Sequence, residues 1–117
     1  MKNFKELKVW QKGVDIAVTS YKLVETFPNT EKYSLSQQIT RAAVSIPSNI
    51  AEGSSRTSEK EYARFLEISL GSAFELETQY LIAQKLNFGN QELLTEGLQM
   101  LGEEQKMTMA FINKLNK

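Results

Sequence analysis

Apolar positions recur at steps of three and four through four separate stretches of this chain, and no stretch alternates with the period of two that a strand needs. The first stretch, about residues 4–25, carries Leu7, Trp10, Val14, Ala17, Tyr21 and Val24 as an expected core seam. Phe27-Pro28-Asn29-Thr30 ends it, because proline disfavours a helical conformation in the residue before it. The second, about 31–53, carries Leu35, Ile39, Ala42, Ala43, Ile46 and Ile50. Pro47 lies inside it and predicts a kink, since it removes a backbone donor and crowds the preceding turn. Gly53 is expected to close it in a left-handed conformation. The third, about 58–86, opens on Ser58 with Glu61 three residues on, the form of a capping box. Its seam is Tyr62, Leu66, Ser69, Ala73, Leu76, Tyr80 and Ala83. Asn87-Phe88-Gly89-Asn90 breaks the pattern, with Gly89 as turn and Asn90 as N-cap of the fourth stretch, about 91–115. That helix carries Leu94, Leu98, Leu101, Gln105, Thr108, Ile112 and Leu115. Four long helices with short links predict an all-α, up-down-up-down antiparallel four-helix bundle, one domain over residues 1–117.

Two helices carry a further row. Val9, Gly13, Ile16, Ser20 and Leu23 step four and three along helix one. Leu93, Gly97, Met100, Met107 and Phe111 do so along helix four, interrupted by Glu104. Helices one and four are neighbours in the simplest bundle, so the rows are expected to merge into an exposed apolar patch. Patches of this kind mark interfaces, which makes Val9, Ile16, Leu23, Leu93, Met100, Met107 and Phe111 the expected surface of self-association.

Polar residues are patterned as well. Gln38, Arg41, Ser45, Asn49 and Glu52 share an arc roughly 80° wide at ~100° per residue, beside the apolar seam of helix two. Ser72, Glu75 and Gln79 step three and four along helix three. In an antiparallel hairpin Arg41 falls near Ser72 and Glu75 near Gln38, so an Arg41–Glu75 ion pair is expected. Two readings stand side by side: a polar network that fixes register, which the matched spacing favours, and a groove recognising a polar or anionic ligand.

Composition narrows the chemistry. Fourteen basic residues balance fourteen acidic ones, so any binding of nucleic acid must come from a local patch. Lys5, Lys8 and Lys12 near Trp10, together with Arg56, are the candidates for phosphate contacts, with a solvated face as the plainer reading. Tyr62 and Tyr80 fall at seam positions and read as core tyrosines. The chain has no histidine and no cysteine, which removes thiol and imidazole nucleophile–base pairs, thiolate metal sites and the Glu-x-x-His di-iron motif. No glycine precedes Lys-Ser or Lys-Thr as in a phosphate loop. The expectation is a non-enzymatic protein without cofactor or metal. With no long apolar run and no signal-peptide pattern, no membrane is expected and the cytoplasm is the expected location.

Phe4-x-x-Leu7-x-Val9-Trp10, Phe27-Pro28-x-x-Glu31-x-Tyr33-x-Leu35 and above all Gln38-Ile39-x-Arg41-Ala42-Ala43-Val44-Ser45-Ile46-Pro47-x-Asn49-Ile50-Ala51-Glu52-Gly53 resemble the bacterial proteins encoded in intervening sequences of 23S rRNA genes, sometimes labelled S23 ribosomal proteins. Phe65-Leu66, Gly71-Ser72 and Glu75-Leu76 continue the resemblance, which weakens after about Phe88. It implies a four-helix bundle that assembles as a homopentamer, without established enzymatic activity. The related accessory proteins of diversity-generating retroelements look like strongly basic pentamers that bind nucleic acid and a reverse transcriptase, and the zero net charge here departs from them. The expected role is an oligomeric scaffold or adaptor with an RNA or protein partner. The alternative is a direct RNA- or DNA-binding module using basic residues of helices one and two.

Overall fold

The structure is a computed structural model that describes residues 3–117. Among these residues every regular element is helical: α1 Lys8–Val24, α2 Leu35–Ser54, α3 Glu59–Lys85 and α4 Gln91–Leu115, with single 3₁₀ turns at Phe4–Glu6 and Asn29–Glu31. Each helix packs on its neighbours in a square, α1 on α2, α2 on α3, α3 on α4 and α4 back on α1. This is the expected up-down-up-down bundle, elongated to 44 × 22 × 20 Å.

Local chemistry sets the ends. Asn3 Oδ1 accepts from the Lys5 N–H at 3.1 Å to start the first turn, and Leu7 in an extended conformation separates it from α1. Ser58 Oγ accepts from the Glu61 N–H at 3.1 Å, and Asn90 Oδ1 from the Leu93 N–H at 2.9 Å. Each satisfies a donor that the first turn of a helix leaves free. Asn87 and Gly89 take positive φ, 58° and 81°, to reverse the chain between α3 and α4. The second helix starts four residues later than the pattern suggests, because the Asn29–Glu31 turn and Ser34 come first.

Gly53 does not play the expected role. It lies inside α2 without a positive φ. A Cβ there would come within 2.8 Å of Phe65 Cβ and 3.0 Å of the Tyr62 ring. Its missing side chain lets α3 close on α2. The second helix also continues through Pro47 to Ser54 as one element, which by itself establishes no kink.

The core is where α2 and α3 predict it. All seven seam residues of α3 are buried, as are Ile39, Ala42, Ala43, Ile46 and Ile50 of α2. For α1 the structure reverses the assignment. Val9, Gly13, Ile16, Ser20 and Leu23 are buried, whereas Leu7, Trp10, Val14, Ala17 and Val24 are half-buried and Tyr21 is exposed. The further row of α1 is buried inside the bundle, and that of α4 is half-buried against the same core apart from buried Gly97. Gly13 abuts Glu104, and Gly97 abuts the Tyr80 ring. Small residues serve close approach within one chain, where the pattern suggested approach between chains.

Candidate functional site

Val9, Ile16 and Leu23 are therefore core residues and offer no surface for self-association. Leu93, Met100, Met107 and Phe111 are half-buried and packed against the same core. Phe111 makes an edge-to-face contact with Tyr62 at 5.2 Å between ring centres. The apolar surface left free lies elsewhere.

α3 carries it. Ile68, Phe74, Leu81 and Ile82 are exposed on the half of the helix turned away from its buried seam. Gly71 sits among them, and a Cβ there would have no neighbour within 4 Å. A second free apolar surface follows the flank of α1, where Val18 and Tyr21 are about half exposed beside half-buried Val14, while Trp10 and Ala17 pack against the core. Tyr21 and Val24 of α1 share an open groove with Thr40 of α2, and Val44, exposed, lies one turn beyond Thr40. α1 lies beside α2 and α4 and meets α3 across the core, at Ser20 and Tyr80, so the two surfaces occupy opposite corners of the square. The α3 surface has a signal in the sequence, Ile68, Gly71 and Phe74 at steps of three, a second row beside the buried seam.

The polar stripe is divided. Ser45 and Ser72 join α2 to α3 through their hydroxyls at 2.8 Å, and Asn49 Nδ2 donates to Ser45 O at 2.8 Å and to Ser45 Oγ at 2.9 Å. Ser69 Oγ, fully buried, donates to Ile46 O at 2.9 Å. These four side chains tie the hairpin together around Pro47. The ends of the stripe do not join them. Gln38, Arg41 and Glu75 are exposed. No ion pair links Arg41 to Glu75 among the described residues, which corrects the expected bridge. Two exposed, hydrated charges gain little from pairing, and here they stand on the walls of an open groove of about 530 Å³ floored by Ala42, Ser45 and Ser72. Glu52 pairs instead along its own helix with Arg56, at 3.1 Å.

The basic candidates are not gathered into one patch. Lys12 is bound to Glu103 of α4 at 2.7 Å, while Lys5 and Lys8 are exposed. The Arg56 guanidinium lies over the Phe65 ring, 4.7 Å from its centre. It lines a groove with Lys60 and Arg64, which the sequence pattern did not single out, and with Glu61 and Glu67.

One buried group stands apart from all of these. Glu104 is 1% exposed, and neither of its carboxylate oxygens has a hydrogen-bond partner. Burial pushes its carboxyl up to about 8, against the opposing pull of the Lys12 charge. Among the described residues no three His, Cys, Asp or Glu side chains are placed to hold a metal, and no helix is long and apolar enough to cross a membrane.

The fold and its surfaces define a single-chain four-helix bundle with serine-linked central helices and two separate outer apolar faces. The chain belongs to the 23S rRNA-intervening sequence protein family, whose model matches residues 5–110. Among solved structures it is similar to a protein of unknown function from the S23 ribosomal protein family of Bacteroides thetaiotaomicron, at 24% identity and a TM-score of 0.79. That match covers 89% of this chain and 97% of the other, and shows the shared fold. Among curated proteins, none matches this chain.

Proposed function

We propose that this protein is a non-enzymatic building block that assembles head-to-tail into a ring and serves as a scaffold for a macromolecular partner. The observation that carries the reading is the pair of unlike apolar faces at opposite corners: Ile68, Phe74, Leu81 and Ile82 on α3, and Val14, Val18 and Tyr21 on α1. A two-fold dimer uses one face twice, whereas two different faces that fit each other make a heterologous contact, which closes into a ring when the rotation allows. Five-fold closure is what the resemblance to the family implies. Light scattering tests it. The wild-type chain should run as a multiple of its 13.3 kDa mass, and Phe74→Asp, at an exposed position, should run as a folded monomer. A wild-type monomer at tens of micromolar would overturn the reading.

A second reading, direct contact with RNA or DNA, draws support from Lys60 and Arg64. They stand one turn apart on α3 beside the Arg56–Phe65 pair, and no ion pair engages either among the described residues. Contacts with several phosphates make affinity fall steeply with salt. A structured RNA should therefore bind the wild type at low salt and bind a Lys60→Ala/Arg64→Ala variant less. No binding at low salt removes this reading.

A further inference from the structure

We propose that Glu104 is a proton-operated latch between α1 and α4. The observation is steric before it is electrostatic. The Glu104 carboxyl enters the junction of three helices, where a Cβ on Gly13 would lie 3.2 Å from Glu104 Oε2 and 3.3 Å from both Ile46 Cγ2 and Pro47 Cβ. The absence of a side chain at Gly13 makes that space. Yet neither oxygen finds a partner in it, and the residue is 1% exposed. An ionised carboxylate in such a place has lost its water and gained no hydrogen bond in return, only the attraction of the nearby Lys12 charge. The neutral acid is the form that this packing accepts.

The charges around it are few. On α1 the nearest cation is Lys12, already bound to the adjacent carboxylate Glu103 at 2.7 Å. The buried positions of α2 on this side, Ala43, Ile46, Pro47 and Ile50, carry no charge, nor do Ser69, Ala73 and Leu76 of α3. The buried hydroxyls of Tyr62 and Tyr80 are both pushed up by burial, away from the neutral range. An ionising Glu104 thus has two outlets. It draws Lys12 away from Glu103, or α1 parts from α4 and admits water. The first exchanges one α1–α4 ion pair for another; the second loosens the contact between the first and last helices while the serine-linked α2–α3 hairpin is untouched.

The direction follows from linkage. The folded carboxyl titrates near 8 and the free carboxyl near 4.5, so the folded state binds the proton more tightly. The stability that this proton contributes is complete below the free value and is lost as pH rises through the folded one. Over that window the folding equilibrium constant should fall by about tenfold per pH unit. Denaturant unfolding at pH 6 and at pH 8.5 tests this in the wild type and in Glu104→Gln, which keeps the shape and cannot ionise. The wild type should lose stability across this range, and the variant should be nearly flat. Carbon-13 NMR of the glutamate side-chain carboxyls of the wild type supplies a reading independent of any variant. One carboxyl should titrate far above the others, and higher still in Lys12→Met, which removes the cation that holds it down. Equal pH slopes in the two proteins, or glutamates that all titrate near 4.5, would overturn the latch. If Glu104→Gln fails to fold, the carbon titration decides alone.

Discussion

The Tyr80 hydroxyl lies 2.8 Å from that of Ser20, closing a polar contact between α3 and α1 across the core. Ser20 also donates to the Ile16 carbonyl of its own helix at 2.8 Å, so the tyrosine most naturally acts as donor to it. Tyr80→Phe should therefore cost about 1 kcal/mol, the net value of one hydrogen bond, read as a lower urea midpoint at unchanged slope.

The same ring fills the space beside Gly97, where a Cβ would overlap it and come within 2.8 Å of Tyr80 Oη. Tyr80 is fully buried and has no room to withdraw. Gly97→Ala should destabilise by about 1–3 kcal/mol through overpacking, despite alanine's better helix propensity. Circular dichroism during urea unfolding measures it. An unchanged midpoint would mean that the ring is not seated there.

For Arg41 the structure reverses what its spacing suggests. It is exposed and makes no ion pair among the described residues, so Arg41→Ala should leave stability within about 0.5 kcal/mol. Asn49→Ala should cost about 1 kcal/mol, since its amide donates twice to Ser45. The two midpoints compared by denaturation separate packing residues from groove residues in one stripe.

Gly71 yields a prediction with opposite signs in two measurements. Nothing lies within 4 Å of the place where its Cβ would be, and it sits in mid-helix, where glycine costs about 1 kcal/mol relative to alanine. Gly71→Ala should raise the unfolding midpoint of the monomer and weaken assembly if a neighbouring copy approaches at that notch. Light scattering against concentration reads the second effect.

How much of this was legible depended on which helix was read. α3 could be read outright because its seam residues, from Tyr62 to Ala83, form one unbroken row and all are buried. α1 offered two rows, and the more apolar one was the wrong choice. Its true core row contains Gly13 and Ser20, whose missing volume comes from other helices: Glu104 and Pro47 at the first, Tyr80 at the second. A row of small residues looks weak in sequence because its partners are far away in it. The polar stripe had the same limit. Spacing set Arg41 near Ser72, whereas the structure brings the Ser45 hydroxyl to it, and spacing could not tell that Arg41 and Glu75 are exposed. Gly53 was recognised as a glycine position for the wrong reason, since the demand comes from Tyr62 and Phe65 rather than from its own backbone.

The turn at Gly89 supplies a further test. Its φ of 81° is one that side chains resist, and a Cβ would lie 2.7 Å from the Phe27 ring. Gly89→Ala should cost about 1–3 kcal/mol by strain and crowding together. Thermal melting detects it, and an equal melting temperature would contradict the turn geometry.

A chain without histidine or cysteine lacks the side chains that ordinarily titrate near neutral pH. Glu104, buried and without a hydrogen-bond partner, takes their place. Folding at neutral pH is thereby also an act of proton capture: each molecule that closes around Glu104 should take close to one proton from the buffer, and each that unfolds should give it back. Calorimetric unfolding near pH 6.5 in two buffers of different ionisation heat would register that proton as a difference in apparent enthalpy, and the difference should vanish in Glu104→Gln.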